Sequence, residues 1–185
     1  MSENKVLLAV CVGRAQANRA IAELRRLGFD EKQISAFGKA YVSEEEVVGV
    51  YKAGKRLVAR GGAANFWERL WDTLGDGGLF LVPGIGPVVV AGSFTYMLAN
   101  TIDDVGTIGG LSALGRAIYS LGIPRDNILR YEMEIRANEC ALVAQGSPEL
   151  VAQATASLKQ VGMAEITTGD GFRAEDVGCM PQMAC

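Results

Sequence analysis

Two stretches of the chain share one pattern, in which a short apolar run is followed by apolar residues at helical spacing. In the first, a buried strand at residues 5–12 precedes a helix that Gly28 ends, and a second strand follows at 33–37. In the second, a strand at 140–144 precedes a helix with Ser147 as N-cap and Gly162 as its stop. We predict an α+β fold in which residues 1–40 and 124–169 form a split βαβ, ferredoxin-like sheet.

The two stretches also coincide in detail when one is shifted by 134 positions. Leu24-Arg-Arg-Leu-Gly-Phe29 then falls on Leu158-Lys-Gln-Val-Gly-Met163, and Leu8 falls on Leu142. This internal similarity predicts two related strand-helix-strand units that share one sheet.

The segment between the two units divides into a hairpin and an apolar part. Two β-rich runs on either side of Ala53-Gly54 predict a β-hairpin within 41–60. An amphipathic helix is predicted at 63–74, and residues 77–102 then carry no formal charge. We interpret 61–123 as a Gly-rich apolar helical insertion that bends between two helices at Pro83 and Pro87, and 170–185 as a tail.

Composition and net charge argue against several classes of function. The 185-residue chain has a net charge of −3 and a pI near 5.1, which argues against a nucleic-acid partner because phosphate contacts need clustered Lys and Arg. Histidine is absent, so Ser-His-Asp and Cys-His catalysis and His-containing zinc sites are excluded. The first residues lack the cationic region and the small-residue cleavage site of a signal peptide, and we expect a cytoplasmic protein with reduced cysteines.

Several motifs resemble the bacterial general-stress-protein, or heat-induced-stress, family, over most of residues 5–168. The motifs are Val48-Gly-Val-Tyr51, Gly54-Lys-Arg56, Phe66-Trp67 with Trp71, Leu81-Val-Pro-Gly-Ile-Gly-Pro87, Gly109-Gly-Leu-Ser-Ala-Leu-Gly115 and Leu121-Gly-Ile-Pro124. Members are often labelled predicted membrane proteins or permeases without an established activity. The resemblance implies a stress-linked bacterial protein and offers no known catalytic residues to carry over to this chain. We expect no cofactor. The charges at Glu68, Arg69, Asp72 and Asp76 depart from the family pattern, and we expect no integral two-span membrane protein.

Motifs for enzymatic chemistry are incomplete. Gly49 to Lys55 matches most of a phosphate-binding loop, but Arg56 replaces the Ser or Thr that would hold Mg²⁺, and the flanks predict strands. Gly84-Ile-Gly86 lacks the third glycine of a dinucleotide fingerprint. The carboxylate pairs Asp103-Asp104 and Glu132 with Glu134 do not face each other on a helix, and we interpret them as solvated. We therefore expect no enzyme.

The four cysteines divide into two sets. Cys11 and Cys140 lie in apolar runs and are interpreted as small buried hydrophobes. The tail residues Cys179, Met180, Met183 and Cys185 carry the soft sulfur ligands that Cu(I) prefers, so they are the candidate metal ligands, against the alternative of an unstructured tail.

Two functional hypotheses remain, and both place the function in association. In the first, the insertion contacts copies of the same chain, and the protein is a homo-oligomer. In the second, the insertion is an interfacial or re-entrant hairpin at a membrane surface. The candidate contact residues are the aromatic and glycine positions of the insertion: Phe66, Trp67, Trp71, Phe80, Gly84, Gly86, Gly92, Phe94, Gly106, Gly109 and Gly110.

Overall fold

The protein has a mixed α+β fold with one six-stranded antiparallel sheet. The computed structural model describes residues 4–39, 49–53, 56–60, 62–75, 77–103 and 110–171. The strands are β1 (Lys5–Cys11), β2 (Ile34–Lys39), β3 (Gly49–Ala53), β4 (Arg56–Arg60), β5 (Gly77–Val82), β6 (Gly86–Ala91), β7 (Cys140–Gly146) and β8 (Ile166–Gly169). The helices are α1 (Gly13–Arg26), α2 (Gly62–Leu74), α3 (Phe94–Asp103), α4 (Ala113–Tyr119), α5 (Arg125–Arg136) and α6 (Pro148–Gln160).

The strand order of the large sheet is β5-β6-β2-β7-β1-β8, and every neighbouring pair is antiparallel. The strands of both terminal units therefore lie in the same sheet, with β7 between β1 and β2. Among the described residues, strands β3 and β4 pair with each other alone, in the antiparallel hairpin that the sequence predicts.

The helix ends of both units follow their local sequence. Gly28 has φ +101° and Gly162 has φ +95°, the left-handed conformation that lets each chain leave its helix. The Ser147 side chain accepts a hydrogen bond from the Leu150 amide and caps α6, with Pro148 in the first turn.

Helices cover both faces of the sheet, so the core has two halves. On one face α1, α2 and α6 pack against alternate residues of the strands, including Leu7, Ala36 and Leu142. On the other face α3, α4 and α5 pack against the intervening residues, including Leu8 and Phe37. Both faces of the central strands are therefore apolar.

The prediction that 61–123 is a helical insertion is wrong for its central part. Residues 77–82 and 86–91 are strands, and β6 pairs with β2, so this segment extends the main sheet. The three consecutive valines Val88, Val89 and Val90 explain the difference, because β-branched residues favour strands and here both faces are buried. Within its described residues the segment also supplies α2, α3 and α4, which pack on the two faces of the sheet.

The predicted bend between two helices at Pro83 is instead a turn between two strands. The Ile85 amide donates to the Val82 carbonyl at 3.1 Å, and Gly84 has φ +82°. Pro followed by a positive-φ Gly inside such a hydrogen-bonded loop is typical of a type II turn.

Candidate functional site

Three of the predicted contact residues lie in the interior. Phe66 and Trp67 are each 4% exposed and pack against the sheet from α2. Phe94 is 1% exposed and stacks on Phe37 with ring centroids 4.8 Å apart. These aromatic side chains hold helices on the sheet, so their assignment to a contact surface is corrected: they are not available to a partner.

Gly92 is likewise a packing residue. It has φ +93°, and a Cβ atom at this position would lie 2.5 Å from the Ile34 carbonyl oxygen. The Ser35 hydroxyl next to it accepts from the Phe94 amide at 3.1 Å, where α3 begins. Glycine is needed here because the backbone of β6 passes close to β2 as it enters α3.

Two further aromatic residues of the predicted contact set, Trp71 and Phe80, are half-buried. The Trp71 indole N–H donates to the Val90 carbonyl at 2.9 Å, and its ring lies against Gly77, where a side chain would overlap it. Phe80 packs against the core on the opposite face of the sheet. Both residues therefore support β5 and β6 from within.

Three other glycines of the predicted contact set, Gly84, Gly86 and Gly110, each have a positive φ, and a Cβ atom at any of them would meet little or nothing within 4 Å. Gly84 and Gly110 are turn residues and Gly86 begins β6, and the described residues show no close approach of helices at them. Gly106 and Gly109 lie outside the described residues, so their role as contacts stays a prediction.

The surface feature that this region does present is an open sheet edge. Strand β5 lies at one end of the strand order, and no strand within the described residues lies beyond it. An edge strand carries N–H and C=O groups that can pair with another chain. The candidate site is therefore β5 itself, hereafter the β5 edge, which comprises residues 77–82.

The direction of the backbone groups of β5 follows from the sheet. Peptide groups alternate in direction along a strand, and the Val10 amide donates to the Glu165 carbonyl at 3.0 Å, toward β8. The pairing registers carry this alternation from β1 through β7, β2 and β6 to β5. The backbone N–H and C=O groups of Gly78, Phe80 and Val82 therefore point toward β6. Those of Gly77, Leu79 and Leu81 point toward the open edge.

Pro87 fits this assignment. It lies opposite Leu81, and the alternation turns its backbone nitrogen away from β5. A proline has no N–H to donate, so at this position it costs the β5–β6 ladder no hydrogen bond.

The chemistry of the β5 edge favours pairing. Its sequence, Gly-Gly-Leu-Phe-Leu-Val, contains no charged residue and no proline, and the Leu81 side chain is 76% exposed. The charges, prolines and short lengths by which edge strands avoid pairing are missing from it.

The opposite edge of the sheet, β8, is different. It has four residues, Ile-Thr-Thr-Gly, and the chain directly after it carries Asp170, which forms an ion pair with Lys5 at 2.8 Å. A short edge whose side chains are mostly polar is a poor template for another strand. The asymmetry between the two edges singles out β5.

A second polar feature is a buried carboxylate between α4 and α5. Glu132 is 4% exposed, so its interpretation as a solvated residue is wrong. Its Oε1 accepts from both the amide and the hydroxyl of Ser112, and the Ser112 hydroxyl in turn accepts from the Gly115 amide at 3.1 Å. This arrangement caps α4 and joins it to α5, which is a structural task.

The described residues do not assemble a phosphate-binding or metal site from the remaining candidates of the sequence. Gly49–Ala53 of the partial phosphate-loop motif is a paired strand and opens no helix. Among the described residues, no three His, Cys, Asp or Glu side chains group as a metal site. Cys179, Met180, Met183 and Cys185 lie outside the described residues, and the proposed Cu(I) site there stays a prediction.

No helix in the described ranges is long and apolar enough to cross a membrane. Comparison of the chain with protein-family models, curated proteins and solved structures finds no match.

The sequence pattern predicts Phe80 as a contact residue but not its neighbours Leu79 and Leu81, whose outward-facing backbone groups form the edge together with the exposed Leu81 side chain. The signal was present in the uncharged run, but the run was assigned to helices, and a helix has no edge. Glu132 was missed because its burial depends on Ser112, twenty positions earlier on another element.

Proposed function

We propose that the protein is a non-catalytic, stress-type protein that self-associates, and that association occurs by antiparallel pairing of the β5 edges of two copies. The observation that carries the proposal is the uncharged β5 edge with its outward-facing Leu79 and Leu81 backbone groups and exposed Leu81 side chain. The stress role rests on the sequence resemblance, and the non-catalytic assignment rests on the absence of histidine and of any complete catalytic motif in the sequence.

We also infer that strands β2, β7, β1 and β8 form a ferredoxin-like core. The order β2-β7-β1-β8 supports this, because β1 and β2, joined through α1, flank the antiparallel β7 in the manner of a split βαβ unit. In this interpretation β5 and β6 extend the core sheet beyond β2, and α3, α4 and α5 cover the face that a simple split βαβ domain leaves open.

A two-fold axis through Phe80 gives the pairing its simplest form. Leu79 of one copy then lies opposite Leu81 of the other, so two outward-facing residues exchange backbone hydrogen bonds on each side of the axis. The contact places apolar side chains against each other and brings no charged residue of either β5 edge into the interface. A closed dimer results, because pairing uses up the open edge of both copies.

The test compares the wild type with Leu81→Lys by light scattering over a dilution series without lipid or detergent. Lysine on both copies sets like charges near each other at the edge, which opposes strand pairing. We expect a wild-type dimer and at least a tenfold weaker association of the variant, which corresponds to about 1.4 kcal/mol. Leu81 is exposed, so far-UV circular dichroism should be unchanged.

Leu129→Lys is the matched control, because Leu129 is an exposed leucine on α5, away from the β5 edge. It should associate like the wild type. A wild type that is monomeric at every concentration would contradict the proposal, and so would equal weakening by both variants. If the monomer instead floats with phospholipid vesicles, the alternative of a membrane-surface function takes its place.

A further inference from the structure

Two cysteines face each other at the ends of two neighbouring strands of the sheet. Cys11 is the last residue of β1 and Cys140 is the first residue of β7, and the pairing register places them directly opposite. Peptide groups alternate in direction along a strand, so the Val10 backbone faces β8 and the Cys11 backbone faces β7. The backbone groups of Cys11 and Cys140 therefore belong to a hydrogen-bonded pair of the ladder. Opposed residues of that type have Cα atoms about 5.5 Å apart, within the range of about 4.4 to 6.8 Å found in disulfides.

The internal similarity of the chain does not explain this pairing. A shift of 134 positions superposes Cys11 on Gln145, so the two thiols are not equivalent positions of a repeated unit. Their side chains instead meet on one face of the sheet, where both belong to the core beneath α1 and α2.

The Cys11 thiol holds its proton, and the two sulfur atoms differ in access to solvent. A hydrogen bond from the Cys11 thiol to Cys140, followed by burial and the nearby Cys140 and Glu139 groups, raises the pKa of Cys11 well above its ordinary value. Cys11 therefore keeps its proton and donates it toward the Cys140 sulfur. Cys140 is 8% exposed whereas Cys11 is 0% exposed, so a small reagent reaches Cys140 first.

The pair also lies close to the surface. The residue that follows Cys11, Val12, is 71% exposed, and the chain before Cys140 is the turn after α5. Hydrogen peroxide is small enough for such a site, whereas a larger disulfide such as oxidised glutathione would need the strand ends to open.

We propose that Cys11 and Cys140 are a dithiol that hydrogen peroxide oxidises reversibly to an intramolecular disulfide. The Cys140 sulfur attacks one peroxide oxygen; an S–O bond forms, the O–O bond breaks, and the hydroxide leaves as water with the Cys140 proton. The Cys11 sulfur then attacks Cys140; an S–S bond forms, the S–O bond breaks, and the hydroxide leaves as water with the Cys11 proton. In total two thiols and one peroxide give one disulfide and two waters, and a dithiol reductant reverses the oxidation.

The experiment uses the full chain with Cys179→Ser and Cys185→Ser, which removes the two other thiols. The folded protein is treated with hydrogen peroxide, then unfolded in an alkylating reagent and weighed by mass spectrometry. We expect a mass lower by two hydrogen atoms, loss of both alkylation sites, and recovery of both after dithiothreitol. The oxidised protein should also melt higher, by on the order of 10 °C, because the bond closes a long loop.

Single variants test the order of the two steps. In the same background, Cys11→Ser should leave a sulfenic acid at Cys140 that dimedone labels, whereas Cys140→Ser should leave Cys11 unlabelled. Two alkylatable thiols after peroxide treatment, or oxidation to sulfinic acid without a disulfide, would overturn the proposal. Since this readout does not involve the oligomeric state, it is independent of association at the β5 edge.

Discussion

Gly115 on α4 lies so close to Glu132 on α5 that any side chain at position 115 would overlap the Glu132 carboxylate. The carboxylate fills the space that a Cβ atom would take and accepts the hydrogen bonds of Ser112 there. Gly115 and Glu132 together therefore join α4 to α5 on the second face of the sheet.

Gly115→Ala should destabilise the protein by about 1 to 3 kcal/mol, because the added methyl group forces the carboxylate out of its site. Glu132→Ala should cost a similar amount, about 1 to 3 kcal/mol, because it leaves buried groups of Ser112 without an acceptor. Urea unfolding followed by circular dichroism measures both. Glu134→Ala on the same helix is the control and should stay within about 0.5 kcal/mol of the wild type. Equal effects at 132 and 134 would show that Glu132 has no special role.

Gly92→Ala should be more destabilising than Gly86→Ala, although both glycines have positive φ. The values are +93° and +105°, so the backbone strain of an alanine is similar at the two sites. A Cβ at 92 would meet the Ile34 carbonyl, whereas one at 86 would meet nothing within 4 Å. We expect a difference of about 1 to 3 kcal/mol in unfolding free energy, which reports the crowding alone. Equal losses would contradict the packing role assigned to Gly92.

Acid should weaken the contact between α1 and α6. Glu23 accepts from Arg26 on its own helix and from Ser157 on α6, and these hydrogen bonds lower the pKa of Glu23 from 4.5 to about 2. Because the folded-state pKa lies below the unfolded one, this contribution is complete above pH about 4.5 and is lost as the pH falls toward about 2.

Glu23→Gln tests this, because an amide does not titrate. Stability measured by urea unfolding from pH 6 down to pH 2 should fall less steeply for Glu23→Gln than for the wild type. Glu31→Gln, which alters an exposed ion pair with Arg25, is the control and should keep the wild-type slope. The same dependence of stability on pH in all three proteins would contradict the role of Glu23.

The sequence predicts the terminal units well because their signals are local. Gly28, Gly162 and the Ser147-Pro148 cap mark helix ends through the conformations of a few neighbouring residues. The structure of β6 depends instead on what covers it. Strands buried on both faces lose the alternation of apolar and polar residues, and then periodicity does not distinguish a strand from a helix.

The site shows the same limit. That Leu79 and Leu81 direct their backbone groups outward follows from the position of β5 at the end of the strand order, which no short window of sequence encodes. The sequence pattern of 61–123 therefore predicts contact residues such as Trp67, whose apolar side chain instead packs in the core.

Amide hydrogen exchange of β5 at low and high protein concentration tests self-association at the β5 edge most directly. The Phe80 amide faces β6 and should be protected at every concentration, whereas the Leu79 and Leu81 amides face outward. We predict that Leu79 and Leu81 exchange rapidly in dilute protein and become protected as its concentration rises, and that Leu81→Lys shifts this change to at least tenfold higher concentration. Exchange at Leu79 and Leu81 that is equally fast at all concentrations would contradict the account.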